Sequence, residues 1–188
     1  TASTTADIAK ASISGVTGIT AQNRTYDGTT DAILSADAAA FTGRFGNDEL
    51  SVASASGAFT DKNAGDGKTV NIGNIVLGGA DAGNYTLANN TATASADIAK
   101  ASISGVTGIT AQDRTYDGTT DASLNYDVTG FSGRLGDDEL SVTSASGAFT
   151  DKNAGDGKAV NISNIVLGGA DAGNYTLADN TATASACI

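Results

Sequence analysis

The segment ADAGNYTLANNTATASADI, residues 80–98, carries the clearest strand pattern of the chain. Tyr85 and Leu87 alternate with polar residues, and from Thr91 onward small apolar residues alternate with Thr, Ser and Asp. Successive side chains of a strand point to opposite faces, so this alternation predicts two strands that each turn one face to a core. The intervening Asn89–Asn90 is typical of a two-residue turn. We therefore predict a β-hairpin over residues 84–98.

The same kind of pattern continues upstream and predicts further strands. In KTVNIGNIVLGG, residues 68–79, the apolar residues change parity at Gly73–Asn74, which predicts a β-bulge. Residues 11–21 are predicted to be a strand with a break near Gly15, and Ile13 and Ile19 are its candidate core residues.

Residues 31–41, DAILSADAAAF, are the one segment whose composition would suit a helix. The corresponding residues 121–131, DASLNYDVTGF, form helices poorly, so we interpret both segments as strand or loop. Roughly six or seven short strands per repeat predict an all-β fold of two tandem, small, immunoglobulin-like β-sandwich domains. The alternative is a β-grasp-like mixed sheet with one short helix at 31–41.

The chain is a tandem duplication. Residues 1–90 align without a gap to residues 91–180, and 73 of these 90 positions are identical. A solenoid coil has a period of about 20–50 residues, so this longer period indicates a self-contained domain rather than a coil. We predict one repeat at 9–98, a second at 99–188, and a tail strand of a preceding repeat at 1–8.

A short motif, Asp-x-Gly-x-Tyr, precedes a predicted strand in each repeat. It consists of Asp81, Gly83 and Tyr85 in the first copy, and the second copy has Asp171, Gly173 and Tyr175. The motif resembles the tyrosine corner of immunoglobulin-type domains. Antibody domains have a cysteine two residues after this tyrosine, whereas this chain has leucine there, so the inter-sheet disulfide is absent.

The composition excludes most catalytic chemistry. The chain has 188 residues, no histidine and a single cysteine, so His-based nucleophile activation, His-ligated zinc and an intrachain disulfide are ruled out. The formal charge of −11 argues against a nucleic-acid partner, and no apolar run is long enough for membrane insertion. We therefore expect a protein that is not an enzyme and binds no cofactor.

The loop DKNAGDGK at 61–68 and 151–158 is the best metal candidate. Carboxylate and amide oxygens beside glycines suit calcium, and the candidate ligands are Asp61, Asn63, Asp66, Asp151, Asn153 and Asp156. The spacing departs from that of a helix-flanked calcium loop, which has glycine at its sixth position and glutamate at its twelfth. The alternative is a hairpin turn in which Asp and Asn bind their own backbone.

Two further clusters attract attention. The acidic segments NDEL (47–50) and DDEL (137–140) contain adjacent carboxylates, which point to opposite faces of a strand and so do not form an acid–base pair. We interpret them as exposed edge residues that discourage aggregation.

The segment RTYDGTT, at 24–30 and 114–120, contains the turn signal Asp-Gly. We expect Tyr26 to pack on this turn, with a binding role as the alternative.

Taken in order, RTYDGTT, GDDELSVTSASGAFTDKNAGDGKAV, GADAGNYTL and an ATASADI-like strand resemble the YDG-type repeat. Such repeats occur in tandem in large bacterial surface adhesins of the filamentous-haemagglutinin type. The resemblance implies an extracellular location on the bacterial cell surface and brings no catalytic or cofactor residues. It implies a structural role for the residues that give the repeat its name, which are Tyr26, Asp27, Gly28, Tyr116, Asp117 and Gly118.

These observations lead us to expect a structural repeat that forms an extended stalk or fibre. Its partners would be neighbouring repeats arranged head to tail and other copies in a fibre. A predicted strand that continues directly into residues 100–104 leaves no flexible linker and favours a stiff stalk. The alternative is a weak binding module for a glycan, host protein or surface, in which repetition supplies avidity.

Overall fold

A computed structural model describes residues 2–127 and 129–188 and confirms the predicted all-β class. The only helices among the described residues are two single-turn 3₁₀ helices, Ala82–Asn84 and Ala172–Asn174. The chain divides into two compact units. The first contains Thr1–Arg24 and Thr29–Ala99, and the second contains Thr25–Gly28 and Lys100–Ile188.

The first repeat has eleven strands among its described residues. Two of them, β8 and β9, are long and form an antiparallel pair, whereas most of the others have two or three residues. In chain order they are β1 Ala11–Ile13, β2 Gly15–Thr17, β3 Thr20–Ala21, β4 Arg24–Thr25, β5 Asp31–Ala32, β6 Leu34–Ser35, β7 Ala40–Thr42, β8 Ser51–Phe59, β9 Gly65–Gly78, β10 Tyr85–Leu87 and β11 Ala92–Ala99.

A five-stranded sheet with the order β4-β11-β9-β8-β5 forms the larger part of this repeat. Three two-stranded ladders complete it, of which β2–β7 and β3–β6 are antiparallel and β1–β10 is parallel. The parallel pair joins the start of the repeat to a strand near its end, with Ala11 opposite Tyr85.

The predicted hairpin at 84–98 is wrong in its pairing, although both of its strands exist. Strand β10 pairs with β1 and strand β11 pairs with β9, so the two strands do not pair with each other. The Asn90 carbonyl accepts a hydrogen bond from the backbone amide of Ile75, and the Ala88 amide donates to Ile13. Alternation in the sequence identifies the face that enters the core, but it carries no information about which strand lies alongside.

The predicted bulge at Gly73–Asn74 is confirmed. Asn74 has a φ of 53°, in the left-handed region that asparagine tolerates better than most residues. Across the ladder, Ser54 lies opposite Val76 whereas Ser56 lies opposite Gly73, so β9 carries one extra residue at this point. The bulge changes the face on which the apolar side chains of β9 lie.

The core of each unit is small and consists mainly of β-branched residues. Ile13 and Ile19, the two core residues predicted in the first segment, are both buried. The second unit has an equivalent cluster, whose buried members are Val106, Ile109, Val142, Phe149, Val160, Ile162, Ile165 and Ala186.

The second repeat follows the same plan with ten strands among its described residues. Its main sheet has the order β15-β18-β19-β21, and β12–β20 is again a parallel pair. The strands are β12 Ala101–Ile103, β13 Gly105–Thr107, β14 Thr110–Ala111, β15 Asp121–Ala122, β16 Leu124–Asn125, β17 Gly130–Ser132, β18 Ser141–Phe149, β19 Lys158–Gly168, β20 Tyr175–Leu177 and β21 Ala182–Ala186.

Residues 31–41 contain short strands and no helix, so the β-grasp-like alternative is wrong. The corresponding segment 121–131 is likewise strand and turn where it is described, and Val128 within it lies outside the described residues. The immunoglobulin-like sandwich arrangement stays a prediction.

Residues 2–8, expected to be the tail strand of a preceding repeat, form no strand here, and Thr1 lies outside the described residues. A strand needs a neighbour to accept and donate its backbone hydrogen bonds. The corresponding residues of the next repeat copy, in β11, obtain them from β9. Ile8 is almost fully exposed, whereas its counterpart Ile98 is buried.

Strand β9 offers a matched test of the core. Val70 is 0% exposed and Val76 is 51% exposed. We expect Val70→Ala to lower the free energy of unfolding by about 2 kcal/mol, because it removes two buried methyl groups and leaves a cavity. Val76→Ala should change it by no more than about 0.5 kcal/mol. Urea denaturation followed by far-UV circular dichroism measures both, and equal losses would contradict the assignment of the core face.

Candidate functional site

A buried tyrosine and a buried carboxylate meet in the second unit. The hydroxyl of Tyr175, the first residue of β20, donates a hydrogen bond of 2.6 Å to Oδ2 of Asp138. The same hydroxyl accepts a hydrogen bond of 3.0 Å from the backbone amide of Leu135. Asp138 is only 8% exposed. We refer to Asp138 and Tyr175 as the second Asp–Tyr pair.

The Asp-x-Gly-x-Tyr motif positions this pair by fastening two segments together. Oδ2 of Asp171 accepts a hydrogen bond of 2.9 Å from the Glu139 amide, and the Asp171 amide donates to the Glu139 carbonyl. Gly169 permits this approach, because a Cβ atom there would lie 2.2 Å from the Glu139 carbonyl oxygen. In a tyrosine corner the hydroxyl binds backbone a few residues upstream. Tyr175 instead binds residues about forty positions upstream.

A second tyrosine completes the site within this unit. Tyr26 is 2% exposed, and its hydroxyl donates a hydrogen bond of 2.8 Å to the same Oδ2 atom of Asp138. The rings of Tyr26 and Tyr175 lie edge to face, with centroids 5.5 Å apart and an interplanar angle of 75°. One carboxylate oxygen therefore receives two hydroxyl donors, and hydrogen bonds to a charged acceptor are stronger than those between neutral groups.

This environment holds Tyr175 in its neutral form. Burial, which penalises the charged phenolate, raises the pKa of Tyr175 to about 12, and the hydrogen bond to Asp138 acts in the same direction. Tyr175 therefore acts as a hydrogen-bond donor at neutral pH.

The first unit contains the same arrangement with one tyrosine. In the described contacts, the carboxylate of Asp48 accepts from one tyrosine hydroxyl, where that of Asp138 accepts from two. The Tyr85 hydroxyl donates to Oδ2 of Asp48 at 2.5 Å and accepts from the Phe45 amide at 3.0 Å. The Glu49 amide donates to Asp81, as in the second unit. The hydrogen bond to Asp48, followed by burial, raises the pKa of Tyr85. We refer to Asp48 and Tyr85 as the first Asp–Tyr pair.

The interpretation of the acidic clusters as exposed edge residues is therefore wrong for Asp138. Its neighbour Glu139 is exposed, but Asp138 is buried because two tyrosine hydroxyls satisfy its carboxylate. Sequence reasoning missed this residue because its partner Tyr175 lies 37 positions away. Each repeat has one tyrosine in the Tyr-Asp-Gly motif and another in the Asp-x-Gly-x-Tyr motif. These two potential donors are the sequence signal that could have indicated a buried acceptor such as Asp138.

The Tyr-Asp-Gly turn divides its roles among its three residues. Arg114 Nη1 donates to Asp117 Oδ2 and to Thr119 Oγ1, each at 2.9 Å, and the Thr119 amide donates to Asp117 Oδ1. The hydrogen bonds from Thr119 lower the pKa of Asp117. Gly118 has a φ of 83°, which favours glycine. The aspartate and glycine thus shape the turn, and Tyr116 projects from it with 52% of its surface exposed.

An arginine over an aromatic ring anchors this turn in each repeat. The guanidinium carbon of Arg114 lies 5.2 Å from the centroid of the Phe149 ring. The equivalent distance from Arg24 to the Phe59 ring is 5.1 Å, and Gly28 has a φ of 81°. The two copies of the turn therefore have the same supports, although Tyr26 is buried and Tyr116 is exposed.

The DKNAGDGK loop places a lysine on its first carboxylate. Asp61 Oδ1 accepts from Lys68 Nζ at 2.6 Å and from the Asn63 amide at 2.8 Å. The Lys68 ammonium lowers the pKa of Asp61. Asp66 is exposed. A calcium ion on Asp61 would have to displace this ammonium group.

The second copy of the loop has the same contacts, with Lys158 bonded to Asp151 and to the Asn153 carbonyl, while Asp156 is exposed. Lys158 likewise lowers the pKa of Asp151. Across residues 2–127 and 129–188, no three Asp, Glu or Cys side chains cluster as a metal site would require.

A shallow groove occurs at the same place in each repeat. In the first it has a volume of about 360 Å³ and lies between residues 15–19 and 89–93. In the second it has a volume of about 380 Å³ and lies between residues 105–109 and 179–183. The lining differs between the copies only where Asn89 is replaced by Asp179.

The profile of the YDG domain matches residues 3–94 and again residues 99–184. The chain belongs to the YDG domain family. Its two YDG domains are arranged in tandem, in agreement with the duplication in the sequence. Searches of curated proteins and of solved structures found no match. Among the described residues of these YDG domains, no helix has the length and apolar character needed to span a membrane.

The raised pKa of Tyr175 predicts the alkaline behaviour of the second YDG domain. Because its folded pKa of about 12 exceeds its ordinary value of 10.0, the stabilisation from Tyr175 is complete below about pH 10 and is lost as the pH rises towards about 12. Absorbance at 295 nm should therefore show a late phenolate component that Tyr175→Phe reduces, the remainder coming from Tyr85, whose pKa is also raised. Complete ionisation of all tyrosines in the folded protein by about pH 11 would contradict this assignment.

Proposed function

We propose that this chain is a non-catalytic structural repeat that forms part of an extended stalk or fibre of an extracellular bacterial adhesin. The observation that carries the proposal is the direct succession of two nearly identical YDG domains. Lys100 is the single residue between β11, which closes one repeat, and β12, which opens the next. Such a connection suits repeats that add length, because it provides no flexible linker.

The chemistry of the strongest site supports the same proposal. The hydroxyls of Tyr26 and Tyr175 both donate hydrogen bonds to the carboxylate of Asp138, and all three residues are buried. Groups that are satisfied in this way stabilise a structure and are withheld from a substrate. We assign these residues a structural role in the YDG domain.

The extracellular, bacterial and adhesin parts of the proposal rest on the resemblance to tandem repeats of filamentous-haemagglutinin-like surface proteins. The formal charge of −11 is compatible with a well-solvated surface, and the family resemblance supplies no catalytic residue. Neighbouring repeats are the proposed partners, together with other copies in a fibre.

A second candidate function is weak ligand binding by avidity. The grooves of about 360 and 380 Å³ occupy equivalent positions, as a repeated binding module requires. Their size falls at the lower end of small-molecule sites. A glycan array probed with the chain tests this function, and binding that is lost with Thr17→Trp and Thr107→Trp, which fill the grooves, would favour it over the stalk.

The stalk proposal predicts how size grows with repeat number. We expect the maximum dimension from small-angle scattering to rise in proportion to the number of repeats in chains of two, four and six. A flexible array would instead grow as about the square root of that number. A Gly-Ser linker inserted after Lys100 and its equivalents provides the flexible control. Growth of the unmodified array that matches this control would contradict the proposal.

The same series distinguishes a passive stalk from a calcium-regulated one. Lys68 and Lys158 form ion pairs with Asp61 and Asp151 of the two loops. We therefore expect the same maximum dimension in EDTA and in about 1 mM calcium, a concentration at which extracellular calcium modules bind their ion. Straightening that requires calcium, and that Asp61→Asn with Asp151→Asn abolishes, would assign the metal to these loops.

A further inference from the structure

The second YDG domain shows what a bound Tyr-Asp-Gly turn does to an Asp–Tyr pair. The unit that contains this domain includes Thr25–Gly28, and within it Tyr26 donates to Asp138 and packs against Tyr175. Asp138 is buried there, and so are Asn174 and Ala101. The second Asp–Tyr pair is thus a binding site for tyrosine that is occupied.

The first Asp–Tyr pair has the same chemistry, and its carboxylate is more accessible, although Tyr85 is buried like Tyr175. Tyr85 bonds to Asp48 and to a backbone amide just as Tyr175 bonds to Asp138 and its own amide. Asp48 is half-buried where Asp138 is buried, and Asn84 is exposed where Asn174 is buried. Because the residues are identical in type, the difference in burial follows from the environment of each pair and not from its sequence.

The complementary half of the contact lies on the second repeat. Tyr116 is 52% exposed, whereas Tyr26, in an identical RTYDGTT sequence, is 2% exposed. The turn that carries Tyr116 is already formed, because Asp117 holds Thr119 and Arg114. A preformed turn binds with little further loss of conformational entropy.

We propose that Tyr116 of one chain binds the first Asp–Tyr pair of a second copy of this chain. Its hydroxyl donates to the half-buried carboxylate of Asp48, as the hydroxyl of Tyr26 donates to Asp138. Each chain carries one such tyrosine in its second YDG domain and one such pair in its first, so the contact is heterologous and adds copies head to tail. The choice of a second copy as the partner rests on the proposed stalk function. The contact is the one that would join successive copies in such a stalk.

The experiment measures self-association of the full chain with Cys187→Ser, which removes the single cysteine. A contact made by one turn is small, and small interfaces are weak, so sedimentation equilibrium should extend to about 1 mM chain. The chain that carries Cys187→Ser alone should give an average mass that rises with its concentration. Tyr116→Ala should stay monomeric, and Tyr116→Phe, which keeps the ring but loses the donor, should associate more weakly.

Variants of the acceptor give a complementation test. Asp48→Ala should stay monomeric alone. Asn84→Arg, at an exposed position whose counterpart Asn174 is buried, provides a second block that leaves Asp48 in place. An equal mixture of Tyr116→Ala and Asn84→Arg chains should form dimers and nothing larger, because each dimer can contain one intact contact. Ile33→Ala, which truncates an exposed apolar side chain elsewhere, should leave association unchanged.

The outcomes separate this inference from the stalk proposal. A chain that remains monomeric at about 1 mM, association that survives Tyr116→Ala or both acceptor variants, or a mixture that stays monomeric would overturn the head-to-tail contact. Each of these results leaves the growth of maximum dimension with repeat number unaffected, because that growth is measured on covalently joined repeats.

Discussion

The buried carboxylate of Asp138 is the constraint around which the second YDG domain is arranged. A charge removed from water costs several kcal/mol unless it gains hydrogen bonds. Here two tyrosine hydroxyls supply them, and the Asp171–Glu139 contacts hold the segment that carries Asp138. The glycine at 169 and the 3₁₀ turn before β20 are the local features that bring Tyr175 within reach of this carboxylate.

This polar cluster complements a thin apolar core. The cores consist mainly of isoleucine and valine on short strands. Such residues determine which face of a strand is buried, but they determine only weakly which strand lies beside it. A buried hydrogen-bonded network can favour one arrangement, because alternatives leave its polar groups unsatisfied. We infer that each Asp–Tyr pair favours one arrangement of the strands within its own YDG domain.

The sequence predicted the features that depend on local pattern and missed those that depend on pairing. The all-β class, the buried Ile13 and Ile19 and the bulge at Asn74 follow from alternation and were confirmed. The hairpin at 84–98 was wrong because β10 pairs with β1, about seventy positions away. Asp138 was missed for the same reason, since nothing near it in sequence indicates its tyrosine partners. Neither alternation nor turn signals encode contacts over such separations.

A double-mutant cycle between Tyr26 and Asp138 tests the central claim most directly. Unfolding of the second unit would be compared for the parent chain, Tyr26→Phe, Asp138→Asn and the double variant. A hydrogen bond to a buried charge predicts a coupling free energy of about 1–3 kcal/mol. Additive losses, with a coupling below about 0.3 kcal/mol, would show that the hydroxyl and the carboxylate contribute independently and would contradict the role assigned to the buried carboxylate.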